Sequence, residues 1–205
     1  MREHLSQLGR FLREDLRRTA MGCAIGMVAA IALGAVVGAL APEVVTQVME
    51  AFMEMILEAG VVDEAGNLSP FALLLNNWRA MLVTICYGFL PFIYLPVLTL
   101  VSNGFLIGLM AAYYQISGLP LSLYLAALLP HGIFELAALV LAAACGVYLC
   151  RNIGRLVTNS PKKIPAVELL TDLLRVLVMV IAPLTAAAAF IESYVTPVIA
   201  SFFIM

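Results

Sequence analysis

Five apolar stretches separated by short polar segments organise the chain. They fall at about 19–40, 78–94, 97–114, 131–150 and 169–190, each close to the run of about 20 residues with which a helix crosses a hydrocarbon layer roughly 30 Å thick. The pattern predicts an all-α membrane protein with five transmembrane helices, a single integral membrane domain over 1–205.

The polar segments have helical patterns of their own. In 1–18, Leu5, Leu8, Leu12 and Leu16 recur at helical spacing, and Arg2, Arg10, Arg13, Arg17 and Arg18 occupy the other faces. This suits an amphipathic helix on a membrane surface, or a solvated lead-in to the first span. Over 43–58, Gln47, Glu50, Glu54 and Glu58 lie on one side and Val44, Val45, Val48, Phe52, Met55 and Ile56 on another, predicting a second amphipathic helix. Ala65-Gly66-Asn67 then reads as a turn. Gly88 and Pro91 are expected to kink the second span. Leu121–Leu129 reads as a short helix ending at Pro130, with a re-entrant hairpin as the alternative.

Composition excludes a water-soluble domain. The chain is 63% hydrophobic and 12% charged, with mean hydropathy +1.04, whereas soluble domains carry about 25% charged residues. The first apolar stretch exceeds the 7–15 or so residues of a signal-peptide core, so an uncleaved anchor is expected, although Ala39-Leu40-Ala41 faintly resembles a cleavage site. Nine of the eleven Lys and Arg residues lie in 1–18 and in the loop after the fourth span (Arg151, Arg155, Lys162, Lys163). Segment 41–77 is acidic and has none. Basic loops stay on the cytoplasmic side, so the expectation is a cell-membrane protein with a cytoplasmic N-terminus, 41–77 outside and an extracytoplasmic C-terminus.

Two groups of residues interrupt this pattern. Gly22, Gly26, Ala30, Gly34 and Gly38 place a small residue at every fourth position of the first span, and Gly104 and Gly108 repeat the spacing on the third. Small residues let helix backbones approach closely in lipid, so this groove serves packing within the chain or a homodimer seam. Cys23, Cys86, Cys145 and Cys150 show no CxxC spacing and read as small apolar fillers. The second group is polar. His131 and Glu135 stand at i and i+4 on one helix face, Glu192 lies near the end of the fifth span, and Asn103 is an amide on the third. A carboxylate at the bilayer centre costs about 2.5–3.5 kcal/mol on insertion scales and needs a partner. The set admits three readings: a metal site with His131, Glu135 and Glu192 as ligands, a proton or ion relay, or a buried hydrogen-bonded cluster locking spans or subunits together. Asn76, Asn77 and Arg79 mark the entry of the second span.

Three ordered motifs resemble the stage II sporulation protein M family of prokaryotic multi-pass membrane proteins. Leu129-Pro130-His131-Gly132-Ile133-Phe134-Glu135-Leu136 is similar to its Pro-His-Gly-x-x-Glu signature. Asn103-Gly104 through Gly108 matches Asn-Gly-x-x-x-Gly, and Glu192 to Pro197 matches Glu-x-x-x-Thr-Pro. Asn76-Asn77 falls where the family has asparagine, and Ala137 replaces a frequent proline. The resemblance covers nearly the whole chain. It implies five helical spans and a non-enzymatic scaffold for wall-degrading proteins in a peptidoglycan-remodelling engulfment complex, although the family also occurs in prokaryotes that do not sporulate. The expected partners are the lipid bilayer, a second copy in a dimer, and membrane or extracytoplasmic wall-remodelling proteins; no cofactor and no nucleic acid are expected. A small transporter or permease component using the polar cluster is the alternative function, and a metal-dependent intramembrane hydrolase the third.

Overall fold

The computed structural model describes residues 2–58 and 69–203, all helices and their connections; the expected turn at 65–67 lies outside the described residues. Helix α1 (Arg2–Arg10) passes through a π-helical stretch, Phe11–Leu16, straight into α2 (Arg17–Leu40). No Gly-Pro or capping signal separates Arg18 from Thr19, so the predicted surface helix and first span are one rod, Glu3–Leu40. At 1.5 Å per residue it is about 57 Å long, well beyond the hydrocarbon thickness. The leucine face expected to lie on lipid is turned largely onto protein: Leu8 and Leu16 are buried with Phe11, in one core with Leu169 and Leu173. Leu5 stays 52% exposed.

Helix α3 (Pro42–Glu58) follows, buries Val45 and Met49, and leaves Glu43, Gln47, Glu50, Glu54 and Glu58 exposed. Helix α4 (Pro70–Cys86) begins eight residues before the predicted second span and ends eight before its end. Ser69 sets the start: its hydroxyl accepts from the Ala72 amide at 3.3 Å, and Pro70 takes the first helical position. After a 3-10 turn, Tyr87–Phe89, the chain runs non-helically to α5 (Leu95–Ile116), with Phe92 and Tyr94 at positive φ. Pro91 and Pro96 account for the break, since neither has an amide hydrogen to offer a helix.

Helix α6 (Leu121–Val157) is unbroken through Pro130. The expected boundary there, and the hairpin considered for 121–129, give way to the first turns of one 37-residue helix. An internal proline loses one backbone bond, a loss that neighbouring helices make tolerable in lipid. Helix α7 (Ala166–Val176), a π-helical stretch Leu177–Ile181 and α8 (Ala182–Tyr194) form the last rod, which α9 (Thr196–Ser201) extends. Among the described residues four helical rods are long and apolar enough to cross a membrane: Glu3–Leu40, Leu95–Ile116, Leu121–Val157 and Ala166–Ser201. The 17-residue α4 is shorter than these, so four of the five expected spans reach that length.

Contacts between small residues set the helix directions. A Cβ built on Gly104 would meet Met27 and Ala30 at 2.9 and 3.0 Å. One on Gly108 would collide with the Ile31 carbonyl and lie 2.6 Å from the Ala35 amide nitrogen. Gly38 faces Ala112. Residue numbers rise together along both helices, so α2 and α5 are parallel. Tyr124 donates to the Ile107 carbonyl at 2.7 Å, and Gly146 lies against Pro96, so α6 is antiparallel to α5. Helix α4 runs with α6, from Leu73 packed on Ala189 to Gly88 packed on Gly146 and Leu149. The centre is α6, where Ala142 to Val147 are all buried.

Candidate functional site: a His–Glu–Glu cluster between α6 and α8

His131 and Glu135 project from one face of α6 toward the end of α8. There Glu192 joins them: one donor atom from each of the three side chains lies within 4.8 Å of the other two. All three are half-buried. His131 Nδ1 is 3.2 Å from the Thr196 hydroxyl at the start of α9. The Pro-His-Gly-x-x-Glu and Glu-x-x-x-Thr-Pro segments, about sixty residues apart in sequence, therefore form one site, in which His131 meets Thr196 and Glu135 meets Glu192. Antiparallel packing of α6 and α8 produces this, because each step along one helix matches a step back along the other.

Chemically the arrangement offers an imidazole and two carboxylates, and among the described residues neither acid pairs with a Lys or Arg. Among the described residues the one ion pair joins Arg175 to Asp172, on α7. The cluster can hold a proton or a cation, and its hydrogen bond joins α6 to the start of α9.

Asn103 does not join it. Its side chain is exposed on α5 and donates back to the Thr99 carbonyl at 2.8 Å, one turn earlier. The small-residue groove is also divided. Ala30, Gly34 and Gly38 are buried against α5, and Gly104 and Gly108 against α2, whereas a Cβ on Gly22 or Gly26 would meet nothing within 4 Å. Positions four apart advance about 40° around a helix of 3.6 residues per turn. Gly22 therefore faces nearly away from Gly38, and the buried line is Cys23, Met27, Ala30, Gly34 and Gly38.

Three polar features have surroundings that the sequence does not announce. Thr196 is the hydroxyl partner of His131. Asn77 is only 6% exposed, and among the described residues its Nδ2 has no hydrogen-bond partner; Asn76 and Arg79 beside it are exposed. Finally, a cleft of about 580 Å³ opens between the α1 end and α7, lined by Arg10, Glu14, Asp15, Glu168, Asp172 and Arg175 among others. Residues about 160 positions apart build it, so no local pattern announces it. At the same end of the bundle Arg151 donates to Thr19 at 3.1 Å and Tyr148 to Asp15 at 3.4 Å.

Comparison with known proteins agrees with the motifs. An uncharacterized protein of Methanocaldococcus jannaschii is 30% identical over 131 residues, covering 64% of this chain and 72% of that protein. No solved structure matches. The family model described as stage II sporulation protein M matches residues 16–197, nearly the whole chain. With that match over most of its length and the two signatures joined in one cluster, the chain belongs to the stage II sporulation protein M family of membrane proteins.

Proposed function

We propose that the protein is a non-enzymatic scaffold of the cell membrane, crossing it five times with its N-terminus in the cytoplasm and its C-terminus outside. One observation carries the scaffold reading: the intramembrane polar residues join helices to one another. His131 pairs with Thr196 of α9, Glu135 and Glu192 gather beside it between α6 and α8, and none of these residues lines the cleft between α1 and α7. The alternating helix directions support five crossings. Parallel α2 and α5 need a return path between them, and α4, running with α6, supplies it. Both basic segments meet at one end through Arg151 and Thr19, which is what positive-inside orientation requires.

In this reading α3 is the external surface that receives a partner. Val45 and Met49 are committed to α5, so the exposed row Glu43, Gln47, Glu50, Glu54 and Glu58, with Val44 and Met55 beside it, remains on offer. A photo-crosslinking amino acid at position 54 in living cells tests this. The expected product is a discrete adduct with an extracytoplasmic wall-remodelling protein. Finding no adduct, together with proton flux through proteoliposomes that Glu135→Gln abolishes, would replace the scaffold with the permease alternative.

Self-association belongs to the same proposal, through the open half of the small-residue face. Gly22 and Gly26 lie beside Met21, Ile25 and Val28, which are 53%, 68% and 66% exposed. Gly26→Leu is expected to halve the detergent-solubilised protein mass, measured by light scattering, without loss of helix content. An unchanged mass would remove this seam.

A further inference from the structure

The cluster of His131, Glu135 and Glu192 poses a charge problem that its helices do not solve. Two carboxylates share a half-buried site with an imidazole, each donor atom within 4.8 Å of the others. Among the described residues no Lys or Arg pairs with either acid. Like charges at this range repel strongly where water is scarce. One shared proton still leaves a negative charge in an apolar setting. A doubly charged cation leaves none.

We propose that His131, Glu135 and Glu192 bind a divalent transition-metal ion, zinc in the first instance, that clamps α8 to α6. The donor set argues for this class. One imidazole nitrogen and two carboxylate oxygens make a three-ligand zinc site with a fourth position for water, whereas calcium and magnesium prefer six or more oxygens. The Thr196 hydroxyl, 3.2 Å from Nδ1, holds the ring and leaves Nε2 as the nitrogen to coordinate. Donor atoms around tetrahedral zinc stand about 3.3 Å apart, so side-chain rotation of about 1 Å closes the present spacing without moving either helix. His131 and Glu135, one turn apart on α6, need no backbone change to face one ion. The role is structural, and the inference is independent of the scaffold reading.

The test uses the full chain, purified without a metal-binding tag or chelator, equilibrated with zinc, desalted, and analysed by mass spectrometry of the elements. The expected result is about one zinc per chain. The unfolding midpoint in detergent should rise by about 5 °C or more over EDTA-treated protein when zinc stands near a hundredfold above its dissociation constant. Glu192→Gln and His131→Asn are each expected to lose the metal and the stabilisation; Glu168→Gln, an exposed acid elsewhere, keeps both. Manganese or iron at one per chain, lost in the same two variants, supports the site with a different occupant. Well-folded wild-type protein without stoichiometric metal and indifferent to zinc and EDTA overturns the proposal, as does undiminished zinc in both variants. Should the variants fail to fold, the zinc and EDTA comparison on wild-type protein decides the matter alone.

Discussion

Gly34→Leu is expected to prevent α2 and α5 from assembling, the largest effect of any single substitution considered. A Cβ at this position would collide with the Phe105 carbonyl and come within 3.1 Å of the Leu109 amide nitrogen. These are backbone atoms of a neighbouring helix and cannot swing aside as a side-chain tip can. Overpacking a core costs about 1–3 kcal/mol when side chains absorb it, and more when they cannot. Here the helices must separate along a seam where Gly108 also meets the α2 backbone and Gly104 the side chains of Met27 and Ala30. In lipid, where apolar surface gives helices no reason to associate, loss of close approach is loss of the main attraction. The expected readout is aggregated or poorly expressed protein, or an unfolding midpoint lowered by about 6 °C or more. Gly108→Leu should match it. Gly22→Leu, whose Cβ meets nothing within 4 Å, should leave the fold intact. Equal stability of Gly34→Leu and Gly22→Leu would mean that α2 does not pack on α5 through this face.

That contrast marks the limit of what spacing alone reveals. A repeat of four identifies small residues, but a helix turns once in 3.6 residues, so the repeat slides off any fixed face. Which end of the slide is buried depends on α5, and nothing near Gly22 in sequence says so. Helix existence was legible because about 20 apolar residues have few alternatives in a membrane protein. Boundaries were less so. The Ser69-Pro70 cap preceding α4 is an ordinary start signal, yet Asn76, Asn77 and Arg79 looked more like the membrane edge than Phe71 to Leu75 did. Pro130 reads as a stop in water, but α6 runs through it. The lead-in at 1–18 has no break before the first span, and its leucines meet α7 rather than lipid because Leu169 and Leu173 at the start of the last rod pack against them.

The site divides in the same way. His131 and Glu135 are one turn apart on one helix, so their meeting is local and was readable. Glu192 arrives from another helix, and its apolar surroundings and the Glu-x-x-x-Thr-Pro match marked it without saying what it would meet. Asn103 looked equivalent, but it lies on the exposed side of α5 and satisfies its own amide on Thr99. No property of the residue distinguishes the two cases; the rotation of α5 against its neighbours does.

The second large effect is expected outside the apolar core, at Asn152. This side chain is 1% exposed near the end of α6. It donates to the Ile164 carbonyl at 3.0 Å and accepts from the Ile164 amide at 2.9 Å, pinning the loop that leads into α7. Only an amide presents donor and acceptor side by side at this length. Asn152→Leu keeps the volume and strands two backbone groups, at about 1–3 kcal/mol for each that stays buried. The expected loss is about 3 kcal/mol, with faster hydrogen exchange at the Ile164 amide and at the start of α7. Asn152→Asp keeps the acceptor but sets a carboxylate against the Ile164 carbonyl in a buried site, so it should destabilise as well, and more at neutral than at acid pH, where the protonated acid can donate. The comparison within the same loop is Asn159→Gly. Asn159 has φ +50 and an exposed bond to Lys163 at 2.6 Å. Glycine adopts that backbone freely, and exposed polar contacts contribute little, so stability should stay within about 0.5 kcal/mol. A loop that tolerated Asn152→Leu as easily as Asn159→Gly would have no anchor at Ile164, and α7 would be held to α6 by its apolar face alone.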